Sequence, residues 1–427
     1  METQDSLEAW LARIVAVPPD RIELGLERIR QVHQRMRQPR PAPIVITVAG
    51  TNGKGSTVAF LESMLRAAGY RVGSFTSPHL FLFNERIVVD GVAATDADIV
   101  AGFQAVEAAR GEVSLTFFEY ATLAAFHLFA ERALDVAVLE VGLGGRLDAV
   151  NLIDADAAIV TTVDLDHQQY LGTTRDQIAI EKAGVFRAGR PAIIGDADAP
   201  SSLLAEAERI GAHPLRLGHE FRIDVGGDDW RWIGVGTSLR LPHPALRAPV
   251  QHSNAAAAIA ALMALREHLQ VPFRALRIGL AEAQVRGRLE VFPGPIETVV
   301  DVGHNPQAAA VLAEWLRRHP RRTRAVFSAL ADKDIAGIVE PLLARVAHWH
   351  LAGLDGCSSR GLDATALRRR IGDLLGDDCC SLHSDPRAAL AAAVAEAKAG
   401  ERILAFGSFH LVAALGPVLN QGATPAN

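Results

Sequence analysis

The stretch Val48-Ala49-Gly50-Thr51-Asn52-Gly53-Lys54-Gly55-Ser56-Thr57 decides how the rest of the chain is read. Ahead of it, Pro43-Ile44-Val45-Ile46-Thr47-Val48 is a β-branched apolar run that predicts a strand. Behind it, Val58, Leu61, Leu65 and Ala68 recur at helical spacing up to Gly69. A glycine-rich turn between a strand and a helix is the setting of a P-loop. Gly50, Gly53 and Gly55 let the backbone turn tightly, so that its N–H groups and the helix N-terminus face an anion, while the Lys54 ammonium reaches the outer phosphates. Ser56 or Thr57 offers a hydroxyl to Mg2+. The Gly-x-x-Gly-Lys-Gly-Ser spacing is shorter than the usual Gly-x-x-x-x-Gly-Lys-Ser, and a plain turn is the alternative. The flanking strand and helix favour ATP or GTP.

Composition narrows what a nucleotide site is for. The 427 residues exceed what one core usually supports, so two domains are expected. With 43 basic and 49 acidic residues and no basic run, a nucleic-acid partner is not expected. No run approaches the roughly 20 apolar residues of a membrane span, and Glu2, Asp5 and Glu8 do not make a signal peptide. Cys357, Cys379 and Cys380 suit neither a zinc site nor a disulfide framework, which points to a reducing, cytoplasmic setting. Nothing suggests an interface, so a monomer is expected.

In chain order, Ser6 to Ile14 reads as an amphipathic helix, and the segment from Arg21 to Arg28, including Ile22, Glu23 and Leu24, leads into a second. Those leucines pack or bind; their residues alone favour packing. Tyr70 to Phe75 reads as a strand ending at Thr76-Ser77-Pro78-His79, where Ser77 either lines a crevice at the strand's carboxyl end or forms a polar turn. Asn84 to Gly91 reads as strand plus Asp-Gly hairpin turn. Thr95 with Asp98 caps a helix to Arg110, and Thr116-Phe117-Phe118-Glu119 opens another to about Arg132, with Phe118 serving as core or as a stacking platform. Val136 to Leu139 is a continuous apolar run, the mark of a strand buried on both faces, with Glu140 at its carboxyl end. An unpartnered carboxylate there would cost roughly several kcal/mol, so it should meet a cation, most simply the nucleotide's Mg2+. Glycines 142, 144 and 145 allow close approach beside Arg146 and Asp148. A further strand, 157–163, leads to Asp166-His167, and Thr174 with Gln177 caps a helix carrying Glu181 and Lys182. Taken alone, His167 is more often a surface or core histidine than a ligand; its place after a strand end in a phosphate-binding sheet brings the two readings level, and Lys182 reads as a solvated charge.

Taken together, Gly50-Thr51-Asn52-Gly53-Lys54-Gly55-Ser56, Thr76-Ser77-Pro78-His79, the segment Glu140 to Asp148, Asp166-His167 and Glu181-Lys182-Ala183-Gly184 resemble the Mur-ligase superfamily. Within it the likeness is to the bacterial bifunctional folate ligases, the dihydrofolate synthase/folylpolyglutamate synthases. It continues through His252-Ser253-Asn254-Ala255, Gly287-Arg288-Leu289-Glu290, Asp301-Val302-Gly303-His304-Asn305-Pro306, Asp332-Lys333-Asp334 and Gly407-Ser408-Phe409-His410, and so covers nearly the whole chain in order. The resemblance implies ATP contacts from Thr51, Asn52, Gly53, Lys54, Gly55, Ser56, Asn254, Arg288 and Asp301. It implies two Mg2+ sites held by Ser56, Ser77, Glu140, His167 and a carbamylated Lys182, with K+ as a further cation. It implies catalytic roles for Lys54, His167, Lys182 and His304, and a pterin pocket from Ile22, Glu23, Leu24, Thr116, Phe117, Phe118, Glu119, Leu147, Asp148 and Ala149. The implied substrates are ATP, L-glutamate, 7,8-dihydropteroate and reduced folates. Val285-Arg286 ahead of Gly287 and Gly303 ahead of His304 depart from the family pattern without removing a functional side chain.

The second half supports the same fold class: α/β, a P-loop domain with a mostly parallel sheet (1–286) plus a smaller Rossmann-like, doubly wound C-terminal domain (287–427). Phe221 to Leu241 reads as a small β-meander. Ser253 is read as the cap of an alanine-rich helix to about His268, and Pro272-Phe273 starts another reaching Gln284. Gly287, Pro293, Gly294 and Pro295 interrupt regular structure. Beyond them, strands at 298–301, 324–327, 348–351 and 403–406 alternate with helices started by Asn305-Pro306, Asp363 and Asp385-Pro386. His304, Asp332 and Lys333 then lie just past strand ends, where ligands bind. An amide ligase with another acceptor, and a P-loop switch that hydrolyses nucleotide without ligation, are the competing readings.

Overall fold

The computed structural model describes residues 6–16 and 25–422. It divides into two compact units, one running to Ala245 together with Gln251–Gln284, the other comprising Leu246–Val250 and the residues from Val285 onward. Among the described residues no helix is long and apolar enough to cross a membrane.

The strands of the first unit are β1 (Ile44–Ala49), β2 (Val72–Phe75), β3 (Ile87–Val89), β4 (Val92–Ala93), β5 (Val136–Glu140), β6 (Ala157–Val160), β7 (Pro191–Ile194) and β8 (His213–Arg216), in sheet order β4-β3-β2-β5-β1-β6-β7-β8. Across the sheet from β2 to β8 the pairings are parallel, while β2–β3 and β3–β4 at the other end are antiparallel. The continuous apolar runs of β1, β5 and β6 are buried on both faces, as a covered parallel sheet requires. Its helices are α1 (Leu7–Ala16), α2 (Glu27–Met36), α3 (Lys54–Ala67), α4 (Asp96–Arg110), α5 (Phe117–Glu131), α6 (Gln168–Leu171), α7 (Arg175–Ala183), α8 (Ser201–Ile210), α9 (Gln251–Ala264) and α10 (Phe273–Glu282). The caps read at Thr95 and Thr174 are formed as capping boxes, and Thr116 with Glu119 forms a third at the start of α5. A three-stranded meander of β9 (Phe221–Val225), β10 (Trp230–Gly234) and β11 (Thr237–Leu241) buries Trp230 and Trp232, and the Trp232 indole N–H donates to the Ala256 carbonyl at 3.1 Å.

Two local expectations are corrected. Asn84 to Arg86 is not strand but part of a 3-10 turn, Phe83–Arg86, because the Glu85 carboxylate accepts the backbone N–H groups of Leu80, Phe81 and Leu82 and winds the chain around itself. The alanine-rich helix starts at Gln251, so Ser253 lies inside its first turn and does not cap it.

The second unit is a six-stranded sheet of β12 (Glu290–Phe292), β13 (Glu297–Asp301), β14 (Thr323–Phe327), β15 (Val346–Ala352), β16 (Cys380–His383) and β17 (Arg402–Phe406), in order β12-β13-β17-β14-β15-β16. Only β12 runs antiparallel. Its helices are α11 (Pro306–Arg318), α12 (Ile335–Val339), α13 (Ala364–Ile371), α14 (Pro386–Glu396) and α15 (Phe409–Gly422). Asn305, Asp363 and Asp385 cap α11, α13 and α14 as read. Phe327, Trp349 and Phe406 form an aromatic triangle with centroids 5.0–6.1 Å apart at the centre of one face.

Helix α3, which follows the glycine loop, is pinned by α10. A Cβ added at Gly279 would lie 2.6 Å from both the backbone N and the Cα of Met64. Gly279→Ala gains roughly 1 kcal/mol of helix propensity, but that backbone contact must give way. We expect a net loss of about 1–2 kcal/mol in unfolding free energy, seen as a lower urea midpoint at unchanged slope.

Candidate active site

The glycine loop leaves the centre of the first sheet and is suspended from the exit of its neighbour. Gly50 and Gly53 hold φ of 146° and 85°, and a Cβ would lie 1.8 Å from Thr161 Oγ1 at the first and 2.5 Å from Asn254 Oδ1 at the second. The Thr51 N–H donates to the Thr162 carbonyl (2.8 Å), the Asn52 N–H donates to Thr162 Oγ1 (3.0 Å), and the Thr161 hydroxyl donates to the Asn52 carbonyl (2.6 Å). Thr51 Oγ1 also accepts the Asp164 N–H at 3.0 Å. Lys54 heads α3 and arches back over the loop, its Nζ donating to the carbonyls of Gly50 and Thr51 at 3.1 and 3.2 Å. Sequence reading missed Thr161, Thr162 and Asp164 as loop anchors; their place at the exit of a strand beside the loop was the available signal.

Parallel register sets Val48 against Glu140 and Phe75 against Leu139, so the exits of β1, β5 and β2 share one edge. Glu140 is 4% exposed and accepts the Ser77 backbone N–H at 3.1 Å; a Cβ on Gly55 would lie 3.6 Å from its carboxylate. Buried Ser56 accepts from Gln251 Nε2 at 3.2 Å, and Gln251 Oε1 in turn accepts from Asn254 Nδ2 at 3.0 Å. Gln251 and Asn254 stand one helical turn apart on α9 and face the loop together. Gln251 lies one residue ahead of the motif that drew attention to Asn254. Arg86 was also missed. Its guanidinium donates to His79 Nδ1 at 2.8 Å, and burial pushes it down to about 10 against the opposing pull of Glu140 and Glu85.

Lys182 is 3% exposed inside α7. Burial first, and then the Lys54 ammonium, push it down to about 7, with Asp166 and Asp148 acting the other way. Asp148 is buried too and is pushed up to about 7 by burial, although it accepts the N–H groups of Leu143 (2.8 Å) and Val150 (3.0 Å) and feels Lys54. The structure therefore gathers Lys54, Asp148, Asp166 and Lys182 within electrostatic reach of one another. His167 follows Asp166 with a left-handed φ of 50° and caps no helix through its side chain. The glycines between Glu140 and Asp148 permit this crowding, since a Cβ on Gly145 would lie 2.7 Å from the Glu181 carbonyl. Arg146 pairs with Glu181 at 2.7 Å and fastens the loop to α7.

Of the three segments read as a pocket, Ile22, Glu23 and Leu24 lie outside the described residues. The other two converge: a Cβ on Gly142 would sit 2.6 Å from Phe118 Cζ, in the same turn that carries Leu147, Asp148 and Ala149. Phe118 lies 5.8 Å from Phe75, and Phe117 lies under the Arg86 guanidinium at 5.3 Å. Thr116 and Glu119 form the capping box of α5, with Thr116 N–H donating to Glu119 at 2.7 Å, and Arg28 pairs with Glu119 at 3.4 Å.

In the second unit, Asp301 ends β13, is buried, and accepts the N–H groups of Leu289 (2.8 Å) and Gly303 (2.7 Å). Burial raises it and Arg288 lowers it. Arg288 lies over the Phe409 ring at 5.6 Å, and His304 stands 6.0 Å from the same ring with Nδ1 on the Val302 carbonyl at 2.9 Å. Arg288, Asp301 and His304 thus form one group at the exit of β13. Lys333, in the turn after β14, is 7% exposed, and Asp332 lies 4.0 Å from its Nζ.

The Mur ligase middle domain matches residues 48–225, and the Mur ligase glutamate ligase domain matches residues 287–409. The dihydrofolate synthase/folylpolyglutamate synthase of Escherichia coli K12 is 43% identical over 410 residues, 95% of this chain and 94% of that protein. The chain belongs to the dihydrofolate synthase/folylpolyglutamate synthase family of Mur ligases. Among solved members of this family, E. coli FolC in complex with DHPP and ADP superposes with a TM-score of 0.92 at 41% identity, covering 98% of this chain and 99% of that one. The Yersinia pestis enzyme complexed with AMPPNP and Mn ion gives 0.90 at 40% identity, covering 97% and 98%.

For a ligase of this family, the donors of the first unit fit a hard divalent cation. Ser56, Ser77 and Glu140 are oxygen donors on elements that meet at one strand edge, the kind of set Mg2+ or Mn2+ takes.

Lys182 carries a pH signature. It titrates near 10.5 in an unfolded chain and near 7 here, so between those values the unfolded chain holds a proton that the folded chain has released. Its burial penalty is fully present below about pH 7 and is relieved as pH rises toward the unfolded value. Urea unfolding at about pH 7 and about pH 9 should show the wild type gaining stability relative to Lys182→Met, whose side chain does not titrate; an unchanged difference would place Lys182 in water.

Proposed function

We propose that this chain joins L-glutamate to 7,8-dihydropteroate to form dihydrofolate, and adds further glutamates to the γ-carboxylate of reduced folates, with ATP supplying the driving force. The observation that carries this reading is the gathering of a phosphate loop, a buried Glu140 and a buried Lys182 with a depressed pKa at one strand edge, beside a turn that also meets Phe118. In our assignment residues 1–286 bind ATP and residues 287–427 form the glutamate-ligase part of a monomeric, cytoplasmic enzyme.

A carboxylate acylates poorly because its leaving group would be oxide. A carboxylate oxygen of the pteroate therefore attacks the γ-phosphorus of ATP, the bond to the β-phosphate oxygen breaks, and ADP leaves. Lys54 and the loop N–H groups neutralise charge spread over the moving phosphoryl group. Ser56, Ser77 and Glu140 would hold one Mg2+, and His167 with Lys182 a second; the ions supply charge neutralisation when bound. The neutral α-amine of glutamate then attacks the acyl carbon, phosphate leaves with the bonding pair, and the nitrogen sheds a proton to give the amide. Asn254, Arg288 and Asp301 are assigned to ATP, and His304 to the catalytic set.

The depressed pKa of Lys182 gives its carbamate a chemical basis. CO2 is attacked only by the neutral amine, and a lysine near 7 is largely neutral at pH 8, where an ordinary one is almost wholly protonated. The added CO2 and the lost proton turn a cation into an anionic oxygen donor. Phe117 and Phe118 offer the pterin flat apolar faces, with Leu147, Asp148 and Ala149 on the facing turn.

Mass spectrometry of products from ATP, Mg2+, glutamate and each pterin acceptor in turn tests the reading. The glutamate adduct should appear with dihydropteroate and with reduced folates. Phosphate release that ignores both acceptor and glutamate would overturn it in favour of a nucleotide switch. Lys54→Ala should lower kcat by about a hundredfold or more. Lys182→Ala should lose activity that bicarbonate or short carboxylates partly restore; full activity in that variant would remove the carbamate from the mechanism.

A further inference from the structure

A second cluster of ligand-type side chains lies in the other unit, where the proposed reaction does not use it. His348 and His350 stand two residues apart on β15 and therefore project from one face of the sheet. Parallel register sets Ser381 opposite His350 and His383 opposite Ala352 on β16, which brings both to that face as well. His350 is fully buried, and its Nδ1 lies 3.1 Å from Ser381 Oγ and 3.2 Å from His383 Nε2. Among the described residues its Nε2 has no hydrogen-bond partner. It faces the Glu396 carboxylate, on the last turn of α14, at 3.9 Å, too long for a hydrogen bond. Ligand atoms of His348, His350 and Glu396 lie within 4.8 Å of one another.

We propose that His348, His350 and Glu396 bind a divalent transition-metal ion such as Zn2+, with Ser381 and His383 fixing the orientation of His350. A buried imidazole nitrogen with no partner loses its hydrogen bond to water unless a donor or a Lewis acid takes its lone pair. The contacts at Nδ1 leave Nε2 as the lone-pair atom when Nδ1–H donates to Ser381 or His383, the arrangement found behind metal-bound histidines. Two ligand atoms on one tetrahedral ion stand about 3.4 Å apart, so the set closes by roughly 1 Å. Buried His350 stays in place, while partly exposed His348 and exposed Glu396 supply that movement. Arg324 is the competing partner, its Nη1 donating to Glu396 Oε2 at 2.8 Å and its Nη2 to the Glu396 carbonyl at 3.1 Å. A carboxylate offers about four lone-pair sites, so Glu396 serves both cations.

The full-length protein, stripped with chelator and titrated with Co2+ under excess Mg2+, is the test, because Mg2+ fills oxygen sites and competes poorly for imidazole. We expect a single tightly bound equivalent with visible d–d absorption. His350→Asn and His348→Ala should each weaken it more than about tenfold, and His167→Ala should leave it in place. Circular dichroism melting reports folding, and His348→Ala, at a partly exposed position, keeps the test valid if His350→Asn unfolds. Absence of a tight equivalent, or one lost with His167→Ala and kept in His348→Ala, overturns the proposal and leaves a histidine–serine hydrogen-bond relay.

Discussion

Keeping Lys182 out of water constrains everything around it. A buried ammonium next to a second ammonium, Lys54, sheds its proton readily unless carboxylates hold it, and Asp148 and Asp166 supply part of that hold. Asp148 is itself buried and pushed up, so neither partner is firmly charged near neutral pH. Such a group of opposed, half-titrated side chains suits a site where phosphate charge arrives and leaves. It survives only because its backbone surroundings are close: Gly145 lets the turn lie against α7, and Arg146 locks the turn to Glu181.

That closeness depends on sheet order. With β1 between β5 and β6, and β2 beyond β5, the carboxyl ends of four parallel strands deliver the glycine loop, Glu140, Ser77 and the residues 161–167 to one edge. The register makes this quantitative, pairing Val48 with Glu140 and Ala49 with Val160. Shifting β5 by one residue would turn Glu140 to the opposite face, where a carboxylate meets apolar packing. The all-buried patterns of β1, β5 and β6 resist that slip.

These same features explain what was legible in the sequence. Long apolar runs and capping residues mark elements whose stability is local, and β1, β5, β13, β17 and the helices after Thr95, Thr116, Thr174, Asn305, Asp363 and Asp385 fall where the pattern puts them. The Asp90-Gly91 turn is present as read, with φ of 51° and 79°. Short strands at or next to a sheet edge were not legible: β7, β8, β12 and β16 hold three or four residues each and owe their form to neighbouring strands. At the site, motif residues were visible because they are unusual. Gln251, Thr161, Thr162 and Arg86 were not, because each is an ordinary residue whose part appears only when chain segments far apart in sequence meet. Gln251 and Ser56, for instance, are 195 residues apart.

Glu119 shows why a motif match needs its contacts before it is given a role. Its carboxylate already accepts the Thr116 N–H at 2.7 Å and pairs with Arg28 at 3.4 Å, so its accepting capacity is largely committed to starting α5 and anchoring α2. Removing it would uncap α5, at about 1 kcal/mol, and release Arg28, so a loss of activity at this position does not by itself place a pterin beside it. Phe118 is different. Its ring lies against Gly142, on the turn that ends in Asp148; the ring itself carries no hydrogen-bonding group, and the backbone carbonyl accepts the Thr122 hydroxyl at 2.8 Å. The side chain is thus available for stacking, while the first turn that presents it is held by the Thr116–Glu119 box. In this arrangement the polar pair sets where the helix begins and the aromatic pair sets what it offers. The pterin reading rests on the rings and the facing turn rather than on the carboxylate.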